Sequence, residues 1–193
     1  MAETMVLERL IRWAAEQHGF VRTADAVKMK VNPAAMRKLA AAGRLEHRGW
    51  GLYRVTAFPS TQHDEFHEAV LWANGLGIIG GEAALALWDL ADVNPRKIEI
   101  IVPPNYAPRR QGQERYKTRR RKIADADIET VDNIPVLAAT VAIADAITAG
   151  VTGTLIEQAI TTARGRQLIG LVAESRLRVQ LADRTASPTV STR

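Results

Sequence analysis

The residues best equipped for chemistry in this chain are cations set on short spacers. Arg37 and Lys38 sit in PAAMRKLAAAGRL, and Arg44, His47 and Arg48 follow closely. A guanidinium such as that of Arg37 can take guanine O6 and N7 together. Lys38, Arg44, His47 and Arg48 are of the types that meet phosphates. The small Ala34 and Ala41 would let a helix approach closely or touch a thymine methyl. A second concentration is Arg119-Arg120-Arg121-Lys122, with Arg109, Arg110, Arg115 and Lys117 nearby. It could extend a footprint on DNA, meet an acidic protein partner, or serve as a solvated strand edge whose charge discourages aggregation. Strand alternation would put Arg119 and Arg121 on one face, so the whole run cannot touch one ligand.

Other chemistry finds less support. His63 and His67 stand four apart, the spacing of two metal ligands on a helix, but HDEFH lacks the glutamate after the first histidine that a zincin needs. Gly75-Leu76-Gly77-Ile78-Ile79-Gly80 fits G-x-G-x-x-G. The dinucleotide fingerprint needs a strand before its first glycine, and here a helical pattern precedes it. Glu99, at about the right distance downstream, falls in mid-strand. The stretch reads instead as a glycine-rich turn, with Ile78 and Ile79 packing a short strand or turn. Asp145 lies among Ile143, Ala144, Ala146 and Ile147, so its carboxylate must find a backbone cap or an arginine. A catalytic role would need a second acid, and no motif supplies one. No nucleophile elbow, P-loop or paired-carboxylate motif is present. The expectation is no catalytic residue, no metal, no cofactor and no enzymatic activity.

The elements that must position the first cation set are legible. The run TADAVKMK, Thr23 to Lys30, has Ala24, Ala26 and Val27 on one face of a short helix. Asn32 can cap the next helix and Pro33 suits its first position. There Ala35, Met36, Leu39 and Ala40 face a core, while Ala34, Arg37, Lys38 and Ala41 face outward. Gly43 stops it. Leu45–Val55 reads as two strands around Gly49-Trp50-Gly51. A helix over 4–18, capped by Thr4 and lined by Val6, Leu7, Leu10, Ile11, Ala14 and Ala15, supports the pair. This predicts a winged helix-turn-helix over 1–58, whose second helix enters the major groove. Thr23 and Asn32, at the starts of the two helices, are counted with the DNA-facing set. The plainer alternative is a small helical hairpin with a solvated basic face.

Phe58–Gln62 breaks the pattern and marks a boundary. Beyond it, 63–182 reads as a mixed α/β domain. It has a helix over 64–73, another over 82–90, and strands at 97–102, within 115–123, at 128–131 and through 134–136. Three helices follow, from Ala138, over 155–163 and over 167–177. Residues 183–193 read as a disordered tail. The fold class is therefore α+β or mixed α/β. The chain has 193 residues, 47% of them apolar, a formal charge of +5 and a pI near 9.9, and no cysteine. That composition is globular, modestly favours a polyanionic partner, and leaves out disulfides, thiolate zinc and thiol catalysis. With no apolar run of membrane length and no signal pattern in MAETMVLERL, a cytoplasmic protein with no membrane partner is expected.

Gly19, Thr23 and Ala26, then Met36 and Leu39, Gly43 and Leu45, and Gly51 and Tyr53 resemble the winged half of the AbiEi-type antitoxins. Glu82-Ala83-Ala84 ahead of 97–102, and Ile134, Pro135, Val136, Thr140 and Asp145, resemble that family's second half. The resemblance runs from Gly19 to Leu177. Two positions depart from it. Lys30 stands where the helix-turn-helix turn usually has glycine, and Ala139 stands where an arginine commonly precedes the threonine. The resemblance implies a transcriptional autoregulator that binds inverted repeats in its own promoter and counters an AbiEii-type nucleotidyltransferase toxin. The alternative is a protein-interaction module that neutralises a toxin directly, with the winged domain only a scaffold. The operator, the oligomeric state, direct contact with the toxin and the role of Asp145 are left open.

Overall fold

The computed structural model describes residues 2–108 and 113–186, which leaves Arg109 and Arg110 outside the described residues. Contacts divide the chain into two units. One takes in the chain up to Gly75, with Pro108, and the other takes in Leu76–Ala107 and residues 113–186.

The first unit runs α1 (Ala2–Ala14), β1 (Phe20–Arg22), α2 (Thr23–Lys28), α3 (Pro33–Ala41), β2 (Leu45–Gly49), β3 (Leu52–Val55) and α4 (Asp64–Trp72). Its three strands form an antiparallel sheet in the order β1-β3-β2, with Phe20 opposite Arg54 and Leu45 opposite Val55. This is the expected winged helix-turn-helix. Leu10, Ala14, Val21, Ala26, Met36, Leu39, Leu45 and Val55 share one core, each of the large side chains contributing about 1.5–3 kcal/mol by burial. The hairpin turns through Gly49, Trp50 and Gly51, all at positive φ, which the two glycines accept without strain. Thr4 falls inside α1 and does not cap it.

One local expectation changes, and the departure at Lys30 shows its cost. The inner face of α2 is Asp25 and Ala26, while Ala24 and Val27 are exposed. Asp25 can face inward because Arg22 Nε and Nη2 donate to its carboxylate at 2.6 and 3.0 Å. Lys30 closes α2 at φ +58°, its N–H donating to the Val27 carbonyl at 2.9 Å. A left-handed residue with a Cβ there costs roughly 1–2 kcal/mol.

The boundary also moves. The sheet buries both faces. Val21, Leu45, Tyr53 and Val55 point to the helical core, while Phe20 and Leu52 pack on Leu71 of α4 with Trp50 beside them. The expected break at 58–62 is therefore not a domain boundary. α4 belongs to the first unit and covers the second face of its sheet, and Gly75 at φ +78° ends the element.

The second unit comprises β4 (Ile78–Gly80), α5 (Gly81–Leu87), β5 (Ile98–Val102), β6 (Tyr116–Arg120), β7 (Ile128–Val131), β8 (Ile134–Leu137), α6 (Ala139–Thr148), α7 (Gly153–Gly165) and α8 (Leu171–Ala186). Its sheet has the order β6-β5-β4-β8-β7. β5 pairs parallel with β6, and β4 parallel with β8, while β4–β5 and β7–β8 are antiparallel. The fold is mixed α+β, as expected. The tail begins later than expected: 183–186 are helical, because Leu177 and Leu181 are buried and Arg184 Nη1 donates to the Ile147 carbonyl at 2.9 Å. The rest of the expected tail, 187–193, lies outside the described residues. Among the described residues no helix is long and apolar enough to cross a membrane.

Candidate nucleic-acid interface

Asn32 Oδ1 accepts the Ala34 N–H at 2.8 Å and so fixes the start of α3. Met36 and Leu39 are buried, which turns Arg37, Lys38 and Ala41 to solvent with Ala34 partly covered. Positions 34, 37, 38 and 41 lie on one stripe of a helix. α3 carries no acidic residue, and Arg37 and Lys38 make no ion pair among the described residues. The stripe is thus a pair of unengaged cations flanked by small side chains, suited to entering a groove. The end of α3 passes through Gly43 at φ +71°, with the Arg44 N–H donating to the Leu39 carbonyl at 2.8 Å, and presents Arg44 to solvent. His47, also exposed, tilts against Tyr53 with ring centroids 4.9 Å apart.

Other expected contacts are engaged elsewhere. Thr23 Oγ1 donates to the Gly51 carbonyl at 3.0 Å, and its N–H to the same oxygen at 2.7 Å, so Thr23 pins α2 to the hairpin turn. Arg48 alternates with His47 on β2 and faces the other side of the sheet. Its Nε and Nη2 donate to Glu68 at 3.2 and 3.1 Å, and its Nη1 to Glu46 at 2.8 Å. The hydrogen bond to Glu46 holds its proton more firmly, against the opposing effect of burial. Asn32 serves first as the helix cap.

The second basic run is divided by strand alternation, as its pattern predicts. Arg119 and Arg121 converge on Asp145. Arg119 Nη1 donates to Oδ1 at 3.1 Å, its Nη2 pairs with both Asp145 and Glu99, and Arg121 Nη1 donates to Oδ1 at 3.0 Å. Lys117 pairs with Glu99 at 2.8 Å, and the Gly81 N–H donates to Asp145 Oδ2 at 3.3 Å. Burial pushes the Asp145 carboxyl up, but the hydrogen bond and charge of Arg119, the charge of Arg121 and the Gly81 amide together hold it below its ordinary value. Asp145 therefore has both the backbone and the arginine partners its burial requires. Only Arg120 and Lys122 of the run are exposed without an ion pair among the described residues.

The same geometry decides the glycine motif. β4 lies inside Gly75–Gly80 and not before it. A Cβ on Gly81 would stand 2.8 Å from Glu99 Oε1, and the Gly81 amide already serves Asp145. Two carboxylates thus fill the place a pyrophosphate would need. His63 and His67 do not converge: His63 tilts against Phe66, while His67 is buried against His18 and Phe20. Among the described residues no group of three or more His, Asp or Glu could hold a metal ion. Sequence reasoning missed Glu68 as the partner of Arg48 and Asp64 as that of Arg54, both on another element. The alternation of Phe20/Arg22, Glu46/Arg48 and Leu52/Arg54 on the outer sheet face was the available signal.

No curated protein matches the chain. Among solved structures, the crystal structure of RV2827C protein from Mycobacterium tuberculosis is similar at a TM-score of 0.48 and 15% identity, covering 95% of this chain and 78% of that chain. Residues 8–56, from within α1 to the end of the wing, match the AbiEi_4 family, described as a transcriptional regulator and AbiEi antitoxin.

Proposed function

We propose that the chain is a DNA-binding autoregulator of the antitoxin type. Its first unit binds inverted repeats in its own promoter, and its second unit counters a nucleotidyltransferase toxin. The observation that carries this reading is the outward stripe of α3, where Arg37 and Lys38 stand unengaged between Ala34 and Ala41 on a helix without acids. Arg37 reads a base edge, Lys38 and Arg44 meet phosphates, and His47 stands on the wing. The match of residues 8–56 to a transcriptional-regulator family supports the same reading. The second unit, with its own sheet and core, is left for the antitoxin role.

The test is binding of the full chain to its own upstream duplex and to a scrambled one, with a salt titration. A preference of about a hundredfold near 150 mM salt is expected. Arg37→Ala should remove about 1–3 kcal/mol of operator binding and much less from the scrambled duplex. Equal and weak binding to both duplexes, with co-purification of a nucleotidyltransferase, would replace this reading with the protein-interaction module.

A further inference from the structure

The outer face of the wing sheet is clamped to α4 by one arginine from each strand. Arg22 of β1 donates Nη1 to Asn74 Oδ1 at 3.4 Å, just past the end of α4. Arg54 of β3 donates Nε to Asp64 Oδ2 at 3.1 Å in its first turn. Arg48 of β2 reaches the middle of the helix, at Glu68. Phe20, Leu52 and Leu71 fill the space between. Glu68 has no solvent exposure, and its acidic side chain would not sit there without a cation. Yet α4 lies wholly beyond the 8–56 segment that matches the regulator family.

We infer that Glu68 is a specificity-determining positioning residue: it fixes the wing against α4 and keeps the Arg48 guanidinium off the phosphate backbone. The inference rests on the DNA-binding reading above. A cation on a wing that swings freely adds phosphate contact to any duplex, specific or not. Holding Arg48 between Glu46 and Glu68 removes that sequence-blind contribution. It also sets the hairpin that carries His47 at a fixed angle to α3. The DNA-reading unit therefore needs residues through Gly75, and its discrimination depends on a side chain that touches no DNA.

The experiment uses the full chain on its own upstream duplex and on a scrambled duplex, over a salt titration. Glu68→Gln keeps the shape and removes the charge. Glu65→Gln, exposed on the same helix and not among the acids paired with Arg48, removes the same charge. Glu68→Gln should lower the operator preference about tenfold and steepen the salt slope on scrambled DNA by about one ion. Glu65→Gln should do neither. Arg48→Gln, a milder change at the partly exposed end of the pair, should leave the salt slope as it is. A fall of about one would make Arg48 a phosphate ligand and overturn the inference. Equal losses on both duplexes with an unchanged slope, or identical behaviour of the two glutamate variants, would also overturn it. A wild-type chain without operator preference would sink the DNA-binding reading itself. The wing-fixing step then stands or falls on amide exchange in the free chain. Glu68→Gln should speed exchange at Arg48 and Leu52 about tenfold, and unchanged exchange would dismiss it.

Discussion

The two basic segments of this chain look alike in sequence and differ in what they leave available. The run 119–122 is the denser, yet Arg119 and Arg121 close on Asp145 and Glu99 and hold the second unit together. α3 has only Arg37 and Lys38 on its outward stripe, and neither meets a carboxylate among the described residues. Charge density along a chain is therefore a poor measure of charge offered to a ligand. What decides is whether distant acids fold back onto the cations. The wing repeats the contrast inside one hairpin, where His47 stays exposed and Arg48 is held by Glu46 and Glu68.

The largest expected effect tests whether the second run is structural. Asp145→Ala leaves two arginines and the Gly81 amide without their shared acceptor, and should destabilise the second unit by about 3 kcal/mol, since both arginines stay partly in water and Arg119 keeps Glu99. Urea unfolding followed at its own amides measures this, and an unchanged midpoint would end the comparison.

The next sharpens it with the opposite case, a buried titratable group left unsatisfied. His67 is buried, its ring centroid 4.6 Å from that of His18, with no hydrogen bond to either ring nitrogen among the described residues. Burial first, then the charge of His18, lowers its pKa from 6.5 to about 4. The unfolded chain takes up the proton as pH falls through 6.5 and the folded one only near 4, so this stability is full above 6.5 and lost between those values. The loss should approach about 2–3 kcal/mol in the first unit by pH 4.5. His67→Leu should flatten that slope, and an acid limb equal to that of the wild type would show that other groups carry it.

The smallest effect is on binding. Arg121→Ala should change operator affinity by less than about threefold, since its guanidinium already serves Asp145. A loss matching that of Arg37→Ala would make the two segments equivalent on DNA.

Much of the first unit was legible because its signals are local. Asn32 with Pro33, the Met36/Leu39 spacing, Gly43, and the two glycines of the hairpin each act within a few residues. α4 was misplaced because its amphipathic pattern reveals that it packs but not against what. The cover it gives to Phe20 and Leu52 is a long-range fact. In the candidate site, Ala34, Arg37, Lys38 and Ala41 could be read from helical spacing. Arg48 could not, since its fate depends on Glu68, which lies across a turn and in another element. The need of Asp145 for a partner was readable from its apolar neighbours, and strand alternation pointed to the pair that supplies it. Ile78 and Ile79 could be read as a short strand or turn, but two isoleucines between glycines are too short a pattern to mark the middle of a sheet.

The position of β4 has a consequence for how the chain forms. Ile79 pairs with Val136, with β5, β6 and β7 between them in the chain, so the central ladder of the second unit closes only after all its other strands have been made. The wing sheet joins β1 to a hairpin a short way along the chain. The longer span of the β4–β8 ladder slows closure of the second sheet, and the first unit also precedes it in the chain. During synthesis the α3 stripe is complete before the second sheet exists, so a nascent chain would present its unengaged cations ahead of the rest.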